Sequence, residues 1–211
     1  MIPNLFLLIY TASDYAFSNN SLIYKHDKKE IQKAFIWTVL IALALTFDLL
    51  TSLTGLLSVA LYTIILIGLT FLKSKSNRNG WYISSELINV GLAIAFTIPL
   101  SGWISSHSYL QPPFVNYLLG LTIVSVVFTD IFRRLGYIPT KSGDSDGNFE
   151  RILFFIFVMA LQWWYVALTL LGMSIYRLIR YRKFSKMWLI SPAISISFSL
   201  LWLLLMRSNI I

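Results

Sequence analysis

The chain has 211 residues, is 57% hydrophobic and 12% charged, and carries a formal net charge of +8. Ordinary soluble domains carry about 25% charged residues, so this composition indicates a protein whose helices are solvated by lipid. Cysteine is absent, and the only two histidines, His26 and His107, fall in predicted loops, so we expect no thiol catalysis, metal site or cofactor. The basic residues cluster at the ends of apolar runs, which is typical of contact with anionic lipid and not with nucleic acid.

The first half of the sequence predicts a short helix and three spans, since a crossing helix needs about 20 mostly apolar residues. Residues 1–17 predict a short N-terminal helix that either crosses the membrane or lies at its interface. Residues 34–72 are apolar over 39 positions, twice the length of a span, and predict a hairpin that turns near residues 51–55. Residues 81–103 predict the third span, with tryptophan at both ends and a kink at Pro99.

The second half predicts three further spans. Residues 114–132 predict the fourth, which ends before Arg133 and Arg134 and either crosses fully or re-enters. Residues 152–176 and 187–206 predict the fifth and sixth, on either side of a strongly basic loop at residues 177–186. The expected fold is all-α: a polytopic integral membrane helical bundle, with residues 1–211 as one membrane domain of two halves, 1–103 and 114–211. It has six transmembrane spans and a short N-terminal helix.

Lysine and arginine counts indicate the orientation, because loops that stay in the cytoplasm carry an excess of both. With six full spans, 12 of the 17 basic residues lie on one side and five, all within residues 177–186, lie on the other. If residues 114–132 re-enter instead, the count is again 12 to five, so charge alone does not choose between these topologies. We expect six spans, because residues 114–132 are long enough, and a multi-pass protein of the bacterial cytoplasmic (inner) membrane.

Five polar residues within or beside the apolar runs are candidate functional positions, since charge at membrane depth is costly and is usually paired or functional. They are Asp14, Asp48, Glu86, Asn89 and Gln162. Asp48, near the predicted hairpin turn, either caps that turn or forms a proton or cation site. Glu86 and Asn89 share a helix face and either bond another helix or contact a substrate, ion or proton. Gln162, predicted near mid-membrane, is expected to tie its helix to another, with Asp14 and Glu86 as candidate partners.

A spaced motif precedes the predicted fifth span and consists of Gly143, Gly147, Glu150 and Arg151. We expect Glu150 and Arg151 to cap and anchor that helix at the water boundary, with Glu150 in the first turn against the positive helix end. Alternating acids in the same loop are similar to the start of a calcium loop. The glycine and the terminal acid of such a loop are missing, however, so no metal site is expected.

The G-x-x-x-G-x-x-E-R spacing of this motif, with Gln162 and residues 174–177 after it, resembles the C-terminal pattern of an uncharacterised bacterial membrane family, the domain of unknown function 3307. The N-terminal half resembles that family less closely, through Asp14, Lys73 and residues 85–89. The family's intramembrane histidines are absent here. The resemblance therefore implies a bacterial membrane location and a polar cluster, and it implies neither a histidine-dependent reaction nor a particular substrate.

Three classes of function remain open. The sequence favours a non-enzymatic interaction, sensor or anchoring component that binds a soluble or membrane partner or a second copy of itself, because it contains no catalytic constellation. A small transporter or channel for an ion, proton or lipid-like solute requires Asp14, Asp48, Glu86 and Gln162 to line a wet cavity. An intramembrane enzyme that acts on lipid requires two acids near one membrane face.

Overall fold

The computed structural model describes residues 2–75, 81–138, 144–182 and 186–208. Regular structure in these ranges is helical, as the sequence predicts, and no strand occurs among them. The chain divides into two compact units, residues 1–122 and 123–210, and the boundary lies inside the helix that runs from Pro112 to Arg134. The single membrane domain expected from the sequence stays a prediction.

The first unit contains a helical hairpin close to the one predicted. Its helices are α1 Leu5–Thr11, α2 Asn20–Ile23, α3 Lys28–Leu45, α4 Leu53–Lys75, α5 Trp81–His107 and α6 Pro112–Thr122, with a π-helical turn at Ala12–Ala16 and a 3-10 turn at Leu49–Thr51. Helices α3 and α4 pack against each other and turn over residues 46–52, slightly earlier than expected. Helix α3 also begins six residues before the apolar run, because the Asp27 carboxylate caps it and accepts from the Lys29 backbone N–H at 3.0 Å.

Asp48 holds the turn of this hairpin. Its carboxylate accepts from the backbone N–H of Leu49 at 3.0 Å and from the backbone N–H of Tyr109, in the loop after α5. The Tyr109 hydroxyl donates in turn to the Ala44 carbonyl at 2.8 Å. The capping interpretation of Asp48 is therefore confirmed.

Helix α1 lies at the centre of the first unit. Almost all of its residues are buried, and it contacts α3, α5 and α6. The Phe6 ring meets the rings of Tyr62 and Phe96 edge-on, with centroids 4.7 and 5.6 Å away, and the Tyr62 hydroxyl donates to the Phe6 carbonyl at 2.7 Å. The longer helices thus surround the short N-terminal helix, and whether it crosses the membrane or lies at the membrane interface stays a prediction.

The second unit replaces the predicted fifth span with a helical hairpin. It contains a π-helical turn at Ile123–Val127, α7 Phe128–Arg134, α8 Ser145–Met159, α9 Trp163–Tyr181 and α10 Met187–Arg207. The prediction of one continuous span over residues 152–176 is wrong, because α8 ends at Met159 and α9 returns along it. Glu150 near the start of α8 and Arg177 near the end of α9 form an ion pair at 2.6 Å, which fixes the antiparallel direction.

The turn between α8 and α9 is a Schellman motif without glycine. The Gln162 N–H donates to the Phe157 carbonyl at 2.8 Å and the Leu161 N–H to the Val158 carbonyl at 3.0 Å, which satisfies the last carbonyls of α8. Leu161 adopts a left-handed conformation with φ 59°, a position that usually carries glycine. The turn is hidden from sequence analysis because neither glycine nor proline marks it.

Four helices are long and apolar enough to cross a membrane: Leu53–Lys75, Ile83–His107, Pro112–Arg134 and Met187–Arg207. They indicate a membrane protein and correspond to the second, third, fourth and sixth predicted spans. Six spans are not confirmed, because α3 carries four charged residues in its first turns and the fifth span is a hairpin. Helix α5 continues through Pro99 and ends four residues later than expected, at His107.

The left-handed backbone at Leu161 yields a stability prediction. A non-glycine residue in this conformation costs about 1–2 kcal/mol, so Leu161→Gly should raise the free energy of unfolding by up to about 1 kcal/mol. Ala160→Gly is the matched control, since Ala160 has right-handed φ −80° and glycine there should lower that free energy by about 0.5–1 kcal/mol. Denaturant unfolding in detergent measures both variants, and equal losses of stability would contradict the prediction.

Candidate functional site: two buried ion-pair networks

The first unit contains a buried acid–base–acid triad made of Asp14, Lys73 and Glu86. The Lys73 ammonium donates to Asp14 Oδ2 at 2.7 Å and to Glu86 Oε1 at 3.1 Å. The side chains of Lys73, Asp14 and Glu86 are 0%, 2% and 15% exposed. One cation is thus shared by two carboxylates, so the triad has a formal charge of −1 when all three groups are ionised.

Three separate elements bring the triad together. Asp14 lies in the π-helical turn after α1, Lys73 is two residues before the end of α4, and Glu86 lies in the second turn of α5. The Ser18 hydroxyl donates to the carbonyls of Ser13 at 2.9 Å and Asp14 at 3.0 Å, where the π-helical turn leaves backbone acceptors unpaired. Single π-helical turns of this kind often occur at functional positions.

Tyrosine hydroxyls surround the Glu86 carboxylate. Tyr10 and Tyr15 donate to Oε2, the latter at 2.5 Å, and Asn20 and Tyr24 donate to Oε1 at 3.1 and 3.4 Å. With the Lys73 ammonium, the carboxylate therefore accepts from five groups. Such charge-assisted hydrogen bonds stabilise an anion that has been removed from water, and they leave little room for a substrate beside it.

The sequence prediction found part of this network. Asp14 and Glu86 are both candidate positions, and the structure brings them together, whereas the sequence indicates the cation between them, Lys73, only through the family resemblance. The tyrosines carried no signal, since single phenols are common at helix ends. Asn89 is buried one turn beyond Glu86 in α5, where its Oδ1 has no hydrogen-bond partner among the described residues. Asp48 lies at the opposite end of α4 from Lys73 and takes no part.

Arg151 is the centre of a second network, within the second unit. Its side chain is fully buried, and Nη2 donates to Asp144 Oδ2 at 2.8 Å and to the Thr129 hydroxyl at 2.6 Å. Nη1 reaches the Ser191 hydroxyl at 3.3 Å, and the guanidinium lies 5.5 Å from the centroid of the Phe132 ring. One side chain of α8 therefore joins the residue before α8, α7 and the second turn of α10.

Glu150 adds α9 to the same end of the second unit. It is buried, as is its partner Arg177, whereas the Arg180–Asp146 pair that also joins α9 and α8 is exposed. Adjacent helical residues point about 100° apart, so Glu150 faces α9 while Arg151 faces α7 and α10. The two charges thus bind different neighbours of one helix.

Gly147 makes room for the Asp144 carboxylate. A Cβ atom at Gly147 would lie 2.6 Å from both carboxylate oxygens of Asp144, closer than any real contact. Helix α8 begins at Ser145 with Asp144 as its N-cap residue, so Glu150 and Arg151 lie in its second turn and are buried. The expectation that Glu150 lies in the first turn and caps the helix is therefore wrong, whereas anchoring at the water boundary stays a prediction, and Gly143 lies outside the described residues.

Gln162 does not tie two helices together. It is exposed in the turn between α8 and α9, where it precedes the first residue of α9. The prediction placed it in the middle of a straight helix, and the reversal of the chain at Leu161 removes that geometry. The hypothesis that its amide is buried against Asp14 and Glu86 is accordingly wrong.

The described residues offer no cluster suited to a metal ion. No group of three histidine, aspartate or glutamate side chains among them is placed to hold one. An open groove of about 340 Å³ lies between α4 and α5, lined mainly by Leu57, Leu61, Phe96 and Pro99. Phe96 lies ten residues beyond Glu86, about 15 Å along α5, so this apolar groove is remote from the triad.

No protein-family model matches the chain, and no match is found among the curated proteins or the solved structures. The roles assigned below therefore rest on geometry and charge.

Removal of the shared cation should destabilise the first unit strongly. Lys73→Met leaves the carboxylates of Asp14 and Glu86 buried without their cation, which should cost about 3–5 kcal/mol of unfolding free energy. Lys75→Met is the matched control, because Lys75 is exposed two residues later and should lose less than about 1 kcal/mol. Unfolding in detergent measures both, and Asp14→Asn added to Lys73→Met should recover part of the loss. Equal effects of the two lysine substitutions would contradict the proposed ion triad.

A methyl group at Gly147 should disrupt the second network. Gly147→Ala must displace the Asp144 carboxylate from Arg151, so we expect a loss of about 2–4 kcal/mol of unfolding free energy. Gly172→Ala, in the exposed middle of α9 with open space around it, should instead stabilise its helix by about 0.5–1 kcal/mol. Thermal unfolding of both variants in the same detergent checks the difference, and a neutral Gly147→Ala variant would show that Asp144 is dispensable.

Proposed function

We propose that this protein is a non-enzymatic interaction or anchoring component of the bacterial cytoplasmic membrane, which presents a basic surface to an acidic soluble partner. The observation that carries the proposal is the separation of charge in the first unit. The buried ionisable groups of the triad bind one another, whereas exposed lysines gather at the same end of the unit. That basic surface consists of Lys25, Lys28, Lys29, Lys33 and Lys75.

A hydrogen bond from a side chain to a backbone carbonyl holds the lysines of residues 25–33 beside Lys75. The His26 ring donates to the Ser74 carbonyl, which brings the loop before α3 beside the end of α4. Glu30 is taken up locally, because it accepts from Lys33 at 2.6 Å and from the Asn19 backbone N–H at 2.9 Å. The hydrogen bond from Lys33 and the negative charge of Glu30 raise the pKa of Lys33, so this lysine remains fully charged near neutral pH.

Charge and sidedness favour an acidic partner in the cytoplasm. Loops rich in lysine and arginine are retained on the cytoplasmic side, so the basic surface is expected to face the cytoplasm. A cluster of exposed lysines attracts an acidic protein over a distance and speeds association, with an effect that salt weakens. The resemblance to the family of unknown function 3307 supports the same membrane, and we propose membership of that family on the spacing of Gly143, Gly147, Glu150 and Arg151.

The saturated triad argues against catalysis. An intramembrane enzyme needs two acids that a lipid can reach, and Asp14 and Glu86 do meet, but Lys73 bridges them. Asp14 is 2% exposed and Glu86 accepts from five donors. Neither acid therefore faces a space in which a lipid headgroup could react.

Proton or cation transport is the second candidate function. The triad favours it, because a buried acid–base–acid group in an apolar helical unit is a common feature of ion pathways. Asp48 and Gln162, which this hypothesis also required, lie at a turn cap and at an exposed turn. Transport would therefore have to rely on Asp14, Lys73 and Glu86 alone.

A photo-crosslinking amino acid at residue 29 tests the proposed function in living cells. We expect it to capture one soluble protein with an acidic surface, while the same probe at exposed Ser105, near the other end of α5, captures none. Lys25→Gln with Lys28→Gln should abolish the product without changing the unfolding temperature, and rising salt should weaken it in isolated membranes. A proton- and cation-flux assay in liposomes is the counter-test. Flux through the wild-type protein that a folded Glu86→Gln variant lacks would favour transport. Equal or absent crosslinking at residues 29 and 105 would contradict the proposed interaction.

A further inference from the structure

The α8–α9 hairpin begins and ends at the same end of the second unit. Arg151 of α8 contacts Thr129, five residues before the end of α7, and Ser191, in the second turn of α10. The Glu150–Arg177 ion pair brings the end of α9 to the same place. The end of α7, the start of α8, the end of α9 and the start of α10 therefore meet at one network.

The other end of the hairpin exposes large apolar side chains. Leu161, Trp163, Trp164 and Tyr165 are 42%, 51%, 72% and 48% exposed. Residues 152–176 contain no aspartate, glutamate, lysine or arginine, although the chain reverses in their midst. An uncharged turn with two exposed tryptophans is poorly suited to water, whereas tryptophan and tyrosine are enriched where lipid meets water.

We propose that the α8–α9 hairpin is a re-entrant membrane element whose tip and outer α9 face are covered by bilayer lipid. It enters from the basic side of the membrane and returns to that side. Helix α8 has 15 residues and is about 22 Å long, somewhat less than the hydrocarbon thickness of about 30 Å. The Schellman motif pairs carbonyls at the end of α8, which reduces the number of unpaired backbone groups in a chain reversal at that depth.

The distribution of basic residues supports this topology and removes the ambiguity of the sequence-based count. If α8 and α9 formed one crossing span, the ten lysines and arginines of residues 123–210 would divide five to five. With a re-entrant hairpin, residues 133–151 and 177–186 share a side and the division becomes nine to one, with Arg207 alone opposite. For the whole chain the division changes from 12 and five to 16 and one, which agrees far better with retention of basic loops in the cytoplasm.

Lipid is the occupant that the surface of α9 favours. Its exposed apolar residues include Leu168, Leu171, Ile175 and Ile179, and only Val166 and Arg177 of this helix are buried. These four residues recur at intervals of three or four and so lie on one face of the helix, as expected for a face covered by lipid chains. Exposed Arg180 and Arg182 follow at the basic end, where they can meet anionic headgroups.

Single-cysteine labelling tests the topology directly, because the natural chain has no cysteine. Ser145→Cys, Lys186→Cys and Ser208→Cys each place one thiol at an exposed residue: at the start of α8, before α10 and after α10. A membrane-impermeant maleimide is applied to spheroplasts and to inverted vesicles. We expect residues 145 and 186 to be labelled several-fold more in inverted vesicles and residue 208 several-fold more in spheroplasts. Labelling of residues 145 and 186 from opposite sides would overturn the re-entrant hairpin.

A spin label on Gln162→Cys in liposomes tests whether lipid covers the tip. We expect oxygen to relax this label several-fold more effectively than a water-soluble nickel chelate, whereas a label on Lys186→Cys shows the reverse order. Greater access of the nickel chelate to residue 162 would place the hairpin outside the bilayer and overturn the proposal. Line broadening at residue 162 that disappears on dilution with unlabelled protein would show that a second copy covers the tip, and would likewise overturn it.

Discussion

A charge among apolar helices costs several kcal/mol unless an opposite charge and further hydrogen bonds surround it, and this constraint organises both units. In the first unit Lys73 can be buried only where Asp14 and Glu86 reach it, so α1, α4 and α5 must align at one end. In the second unit Arg151 imposes the same condition on α7, α8 and α10. Elsewhere the helices meet largely through apolar side chains, whose contacts specify relative position less strictly. Each ion network therefore determines the register of its own unit.

Within the second unit, helices α8 and α9 are held in place by different kinds of contact. Helix α8 contacts α10 extensively, and Phe154 and Val158 are fully buried there. Helix α9 buries only Val166 and Arg177, and polar contacts with α8 hold its far end: the buried pair with Glu150, and the exposed contacts of Tyr181 and Arg180 with Asp146 at 2.7 and 3.5 Å. The attachment of α9 therefore depends more on polar contacts, and less on apolar burial, than that of α8.

The sequence could predict those features that hydropathy and local chemistry control. Long apolar runs indicated the four helices able to cross a membrane, and Asp48 was recognisable as a turn cap. Hydropathy does not show where the chain reverses direction, however. The turn at Leu161 was therefore not predicted, and Gln162 was assigned to a helix centre. Apart from the family resemblance, nothing marked Lys73 as buried, because a lysine that ends an apolar run ordinarily extends into water. Asp14 and Glu86 were recognisable because an acidic residue within an apolar run is costly and is usually paired or functional.

The spacing of Gly147, Glu150 and Arg151 has a physical basis that does not depend on any family. Two adjacent opposite charges diverge by about 100° on a helix, so each must find its own partner on a different neighbour. The arginine needs an anion at the helix start, and Asp144 supplies it only because Gly147 has no side chain in the way. The glutamate needs a cation from a helix that runs antiparallel to α8, and Arg177 of α9 supplies it. A glycine followed three residues later by Glu-Arg can therefore specify a junction of four helix ends.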